Sequence, residues 1–396
     1  MRVVELEALQ VRIPLRRRMT HASHSRSETE NLVVRCVLSD GSVGYGEGVP
    51  REYVTGETIA TCWELLRRSR LEEQLEAEIP DFVAGVRLAE RLHIAPAEGD
   101  ERQSLGNATR CAVELALLDA CGRAFGEPLS RVTEVLAPEL YQFRPQVRYS
   151  GILTHPRGWK RRLYPFVYRW TGFTHVKIKV GIGGEDEVKR LAVLRRYLGR
   201  RIDLRVDANE AWSAGEVIER IRELEPFGIS CVEQPVAQEE VSCLAEVRRQ
   251  VRIPIMLDES LCSMRDAELA IRHGWCDLFN IRLSKCGGFI PSLRLVQLAR
   301  LHGLECQLGC QVGETAILSA AGRHFATSVA GLRYLEGSYD RYLVREWLSR
   351  EDITLGWGGW APALVGCGLG VTIEPQRLAA VATRREMLIG SGSKSG

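Results

Sequence analysis

The chain of 396 residues sets 53 Lys and Arg against 51 Asp and Glu, a formal net charge of +2. That balance argues against nucleic acid or an anionic membrane as a partner, and no apolar run approaches the length of a membrane span. Hydrophobic residues at 45% and charged residues at 26% suit a globular enzyme whose length is comfortable for two domains.

The opening MRVVELEALQVRIPL has no signal-peptide apolar core and alternates from residue 3 to 14, which predicts an antiparallel strand. Residues 31–38 alternate likewise, and the turn SDGS leads into VGYGEG, so a meander is expected. Residues 57–72, 78–92 and 105–125 carry helical periodicity; in the last, Ala108, Val113, Ala116 and Leu117 share a face. Residues 1–130 therefore read as an α+β capping domain. From about 146 strands alternate with helices. Strands are predicted at 147–152, 174–180, 202–207, 229–234, 253–258, 277–283, 304–309 and 332–336. Helices are predicted at 185–199, 213–226, 237–250, 263–273, 288–302 and 314–330. Eight such strands make residues 131–350 an α/β unit, a modified (β/α)8 TIM barrel. The structural alternative, an open doubly wound sheet, lacks a GxGxxG at its first turn. Residues 351–396, after the Gly- and Trp-rich GWGGWAP, are expected to return to the capping domain and end in a disordered GSGSKSG tail. Twelve cysteines without zinc-finger spacing read as reduced thiols, in keeping with the cytoplasm.

Asp207, Glu233 and Asp258 each close a short apolar run, at intervals of 26 and 25 residues. One strand plus one helix is about that long, so the three carboxylates are expected at one end of consecutive barrel strands. Taken singly, each is as well explained as a helix cap. Together they suit a hard cation, Mg²⁺ above all, with Asn209 as a further oxygen donor. In HVKIKV, Lys177 and Lys179 lie two apart and point to one face. Neighbouring cations lower each other's pKa, so the pair offers a general base; equally, one lysine neutralises the carboxylates.

The ordered set KIKVG, VDANEAW, VEQPV, LDES and NIRLSKCGG resembles the enolase superfamily, closest to its muconate-lactonizing-enzyme subgroup. NATRCAVELALLDACGRAFGEPL is similar to the helix joining cap to barrel there. The resemblance covers residues 1 to about 375. It implies Mg²⁺ on Asp207, Glu233 and Asp258, and removal of the proton α to a carboxylate through an enediolate. It also implies Lys179 as base and Lys177 as the lysine assisting the substrate carboxylate.

One position departs from the family pattern. Counting 24 residues from Asp258 reaches Arg282, where a lysine is usual. Arginine stays protonated and is a poor base. The expectation is therefore a one-base reaction on a small carboxylate, a cycloisomerisation or a syn-elimination, with Arg282 holding charge or binding an anion. An amino-acid or dipeptide racemase or epimerase, and a catalytically retired barrel with Arg282 paired to the acidic cluster, are the alternatives. Lys285, at an odd offset, is expected to face away. The seventh strand ends without a histidine, which disfavours acid-sugar hydratases, and His302 and His324 are read as structural. Substrate contacts are expected from His21, His24, Arg26 and Tyr53 in two capping loops, and from Glu336, Gln311 and Glu314 at strand ends. The resemblance also suggests a homo-oligomer.

Overall fold

A computed structural model describes residues 1–20, 25–154, 158–181 and 186–390. The cap begins with β1 (Val3–Thr20), β2 (Ser25–Leu38) and β3 (Val43–Gly48). Both leading strands run further than the alternation predicts and pair out to Thr20 and Ser25. Six helices follow: α1 (Glu52–Thr55), α2 (Ile59–Arg68), α3 (Leu71–Leu75), α4 (Phe82–Arg91), α5 (Asn107–Phe125) and α6 (Arg131–Leu136). The helix expected over 57–72 breaks at Arg70, whose φ is +46°.

The helix α5 is buried on nearly every side, not on one face. Its alanines at 108, 112, 116 and 120 lie against Gly44, Gly46 and Gly48 of β3. A Cβ on any of these glycines would run into α5 backbone. The strand period of two and the helix period of four meet here, which lets sheet and helix backbones approach closely.

The second sheet has eight parallel strands in sequential order. They are β5 (Gly151–Leu153), β6 (His175–Lys179), β7 (Asp203–Asp207), β8 (Ile229–Glu233), β9 (Ile255–Leu257), β10 (Leu278–Ile281), β11 (Glu305–Leu308) and β12 (Leu332–Leu335). Ser150 N–H donates to Leu335 O at 2.8 Å and joins the first edge to the last. Between strands run α7 (Lys160–Trp170), α8 (Glu187–Leu198), α9 (Val217–Leu224), α10 (Leu244–Gln250), α11 (Met264–His273), α12 (Phe289–Leu301) and α13 (Ala316–Ser328), with α14 (Asp340–Leu343) after β12.

The strand predicted at 147–152 is two pieces. Residues of β4 (Gln146–Arg148) pair antiparallel with β13 (Trp360–Pro362), and only Gly151–Leu153 enters the barrel. Gly359, at φ +83°, accepts from Tyr149 N–H at 2.7 Å and holds the returning segment there. The chain then forms α15 (Pro375–Val381) and β14 (Ala382–Ile389), which adds to β1 as the edge of the capping sheet. Glu47 on β3 locks cap to barrel: its carboxylate accepts from the N–H groups of Thr315 and Leu318 at the start of α13 and from Asn31. All twelve cysteines are free thiols, and no helix among the described residues is long and apolar enough to cross a membrane.

Candidate active site

Val176 and Ile178 of β6 are fully buried against the outer helices, so Lys177 and Lys179 face the barrel interior. Lys177 Nζ lies 3.3 Å from Asp207, 3.2 Å from Glu233 and 2.9 Å from Glu336. Burial alone would lower its pKa; Glu233, Glu336 and Asp207 hold it well above the ordinary lysine value. Three carboxylates thus favour the ammonium form of Lys177 in this arrangement. Lys179 has different company: its Nζ donates to Asn209 Oδ1 at 2.6 Å. Asn209 adopts φ +46°, and its N–H donates to Asp207 Oδ1 at 3.1 Å.

The register places Lys179 opposite Asp207 and Asp207 opposite Glu233, with Asp258 just past the end of β9. Asp258 caps no helix, since Ser263 caps α11. Its loop is held by Gln234 Oε1, which accepts from the N–H groups of Asp258 and Ser260. Burial drives Glu233 up to about 8 against the pull of Lys177. Asn280 Nδ2 donates to the same carboxylate at 2.7 Å. Asp258 behaves oppositely. Burial would raise it, yet Arg282 and Lys285 bring it down to about 2.

Arg282 forms an ion pair with Asp258 and stands 3.9 Å from Glu233. Lys285 does not face away as its offset suggests. Its Nζ is buried among Asp258 O at 2.6 Å, Asp258 Oδ1 at 2.9 Å and Asn280 O at 2.8 Å. Strand alternation has ended by Leu283, so the turn redirects the side chain inward. All three ammonium protons of Lys285 are donated, and Asp258 holds its pKa above the ordinary lysine value against burial.

Asp207, Glu233 and Asp258 supply only carboxylate oxygens from adjacent strand ends, the chemistry Mg²⁺ favours. Among the described residues no three His, Cys, Asp or Glu side chains are spaced to hold an ion as they stand. The gaps between these carboxylates are spanned instead by Lys177 and Arg282. The buried Glu233, raised toward neutrality, shows how strongly this cluster wants positive charge. The residues fit a hard divalent cation by chemistry, with Arg282 in competition for Asp258.

Glu336, expected to contact substrate, has both oxygens taken by protein cations, Lys177 and Arg205. Arg205 and Asn280 were not anticipated. Each lies two residues before a named site residue, Asp207 and Arg282, and that shared parity was the available signal. Arg26 stacks over the Tyr53 ring at 5.5 Å, while His21 and His24 lie outside the described residues. Glu314 keeps part of its surface open at the barrel mouth, yet surrounding protein pushes its carboxyl up to about 8. It lines one small cavity with Cys310, Gly309 and Glu336. Gln311 nearby has a buried amide nitrogen with no protein partner. His324 is buried in α13 and pushed down to about 4 by that burial.

Residues 166–377 match the family described as Enolase C-terminal domain-like. The chain belongs to the enolase superfamily. An L-Lys-D/L-Arg epimerase of Methylococcus capsulatus is 30% identical over 86% of this chain and 91% of its own length. An N-succinyl-L-Arg/Lys racemase of Bacillus cereus is 28% identical over 83% of this chain and 85% of its own. Among solved structures, a dipeptide epimerase from Cytophaga hutchinsonii, complexed with Mg and the dipeptide D-Ala-L-Val, superposes with a TM-score of 0.82 at 25% identity. That match covers 98% of this chain and all of the other. These enolase-superfamily relatives are racemases and epimerases. They favour the alternative reading of the reaction over the cycloisomerisation or elimination expected from Arg282.

Proposed function

We propose that this protein is a Mg²⁺-dependent racemase or epimerase acting at the carbon α to the carboxylate of an amino-acid derivative, such as a dipeptide or an N-acyl amino acid. The carrying observation is Lys179. Lys177 and Lys285 each pair with a carboxylate of the cluster, whereas Lys179 donates to a neutral oxygen, Asn209 Oδ1. Lys179 takes the α-proton on one face. A magnesium ion held by Asp207, Glu233 and Asp258 would place positive charge on the substrate's carboxylate oxygens. Lys177, fixed as a cation, adds to that field from the second strand. Asn209 and Asp207 orient Lys179, and Arg282 keeps its proton and sets charge over the opposite face.

Inversion also needs a proton on that opposite face. We assign its delivery to Glu314, which lines a cavity with Gly309 and Glu336 at the barrel strand ends and whose carboxyl burial raises to about 8. Arg282 specifically favours a second reading: a one-base reaction in which Lys179 works alone.

Proton NMR in D₂O with a panel of L and D dipeptides and N-acyl amino acids separates these. The main reading expects Mg²⁺-dependent exchange of the α-proton with inverted product, abolished in Lys179→Ala. Exchange with strict retention would support the one-base reading. Absence of any metal-dependent exchange or turnover across a broad carboxylate panel would remove both.

A further inference from the structure

The first barrel helix, α7, presents an apolar stripe to solvent. Trp159, Leu163, Phe166 and Trp170 recur at intervals of four, three and four, which sets them on one face. The opposite face, at Pro165, is the one buried. Trp159 is 68% exposed, Phe166 53% and Trp170 69%. Trp357, 64% exposed, meets the Trp170 ring edge-on at 5.0 Å and extends the patch past the helix. At ~150–250 Å² per aromatic side chain, the patch exposes on the order of 600 Å². That is at or above the largest patch of an ordinary monomer, ~300–600 Å², and approaches the ~800 Å² each partner contributes to a stable interface.

Its rim has one sign. Lys160, Arg161, Arg162 and Arg169 flank the stripe, and residues 158–172 contain no Asp or Glu. Two such faces brought together by a twofold axis would set like charges opposite one another, so this helix does not pair with itself. The occupant must be acidic with some apolar surface.

The chain carries such a surface elsewhere. Residues 71–83, spanning α3 and the start of α4, contain Glu72, Glu73, Glu76, Glu78 and Asp81 with no Lys or Arg. All five acids are exposed, and Ala77, Pro80 and Val83 are exposed between them. This acidic corner packs on β14 and α5 in the cap, whereas α7 packs on α8 and β5 in the barrel. We propose that a second copy of this chain docks its acidic α3–α4 corner on the basic aromatic face of α7. The contact is head-to-tail, so each subunit offers both surfaces, and a discrete oligomer requires that successive contacts close into a ring.

Light scattering after size exclusion, at low and high salt, tests this on the full chain. A discrete oligomer weakened by salt is expected, because charged rims form the contact. Arg162→Glu with Arg169→Glu should weaken assembly at least about tenfold. Adding Glu72→Lys and Glu76→Lys to that variant should restore it, since both surfaces are then reversed. Trp159→Ser with Trp170→Ser, at exposed positions, should dissociate the oligomer into monomers that keep the wild-type circular dichroism spectrum and still unfold cooperatively. A wild type that is monomeric at micromolar concentration would overturn the proposal. So would an oligomer indifferent to these variants, charge reversal without rescue, or a monomer that instead adsorbs to phosphatidylglycerol vesicles through the same tryptophans.

Discussion

Lys177 and Glu336 meet across the seam that closes the barrel, Nζ to Oε2 at 2.9 Å, and so tie the second strand to the eighth. Arg205 takes the other oxygen of the same carboxylate. Burial would raise the Glu336 pKa; Lys177 and Arg205 hold it below the usual value. Glu336→Gln leaves two buried cations short of their counter-charge. Removing one partner of such a buried pair costs about 3–5 kcal/mol. Urea unfolding should show that loss, and a change within error of zero would mean that the remaining carboxylates suffice.

Glu314→Gln separates the two faces of the proposed reaction. The variant should still wash deuterium into the α-position, because Lys179 is untouched, while the inverted product falls by roughly 100-fold. Chiral chromatography alongside NMR reads both quantities. Equal loss of exchange and inversion would demote Glu314 to a structural residue.

Gly46→Ala tests the close approach of β3 to α5. The new methyl points at the Ala112 carbonyl, which is backbone and has little freedom to move. Overpacking of this kind costs about 1–3 kcal/mol or more. Gly41, in the turn before β3, has φ +87° and open space around its missing Cβ. Gly41→Ala should cost only the left-handed backbone penalty, roughly 1 kcal/mol. The order of the two melting temperatures is the measurement, with Gly46→Ala clearly lower.

Glu57 makes stability depend on pH. Burial pushes its carboxyl up to about 7, although it accepts from the N–H groups of Gly106 and Ala108. Exposed glutamates titrate near ~4.3. The folded chain therefore holds this proton more tightly than the unfolded one. The added stability is fully present below about pH 4.3 and is lost as pH rises through about 7. In Glu57→Gln the fall in unfolding free energy between pH 5 and 7 should be shallower, by up to ~1.4 kcal/mol per unit. Parallel curves for wild type and variant would rule the group out as a source of the slope.

The sequence alone determined the barrel, most of its strands and the three carboxylate positions. Alternation of apolar and polar residues is a local property, and Asp207, Glu233 and Asp258 stand at strand ends wherever the strands pair in order. Parity within HVKIKV sufficed to turn Lys177 and Lys179 inward. It failed at Lys285, because a strand's alternation stops where the strand stops. Only the tertiary structure decided the partners. Lys177 and Lys179 are chemically identical and two residues apart, yet one is surrounded by carboxylates and the other meets an amide. That distinction depends on Glu336, more than 150 residues away, and on the backbone turn at Asn209. The glycines of β3 likewise have no meaning until the alanines of α5 are brought against them. Long-range contact, not local periodicity, sets which charge is neutralised and which is free to act.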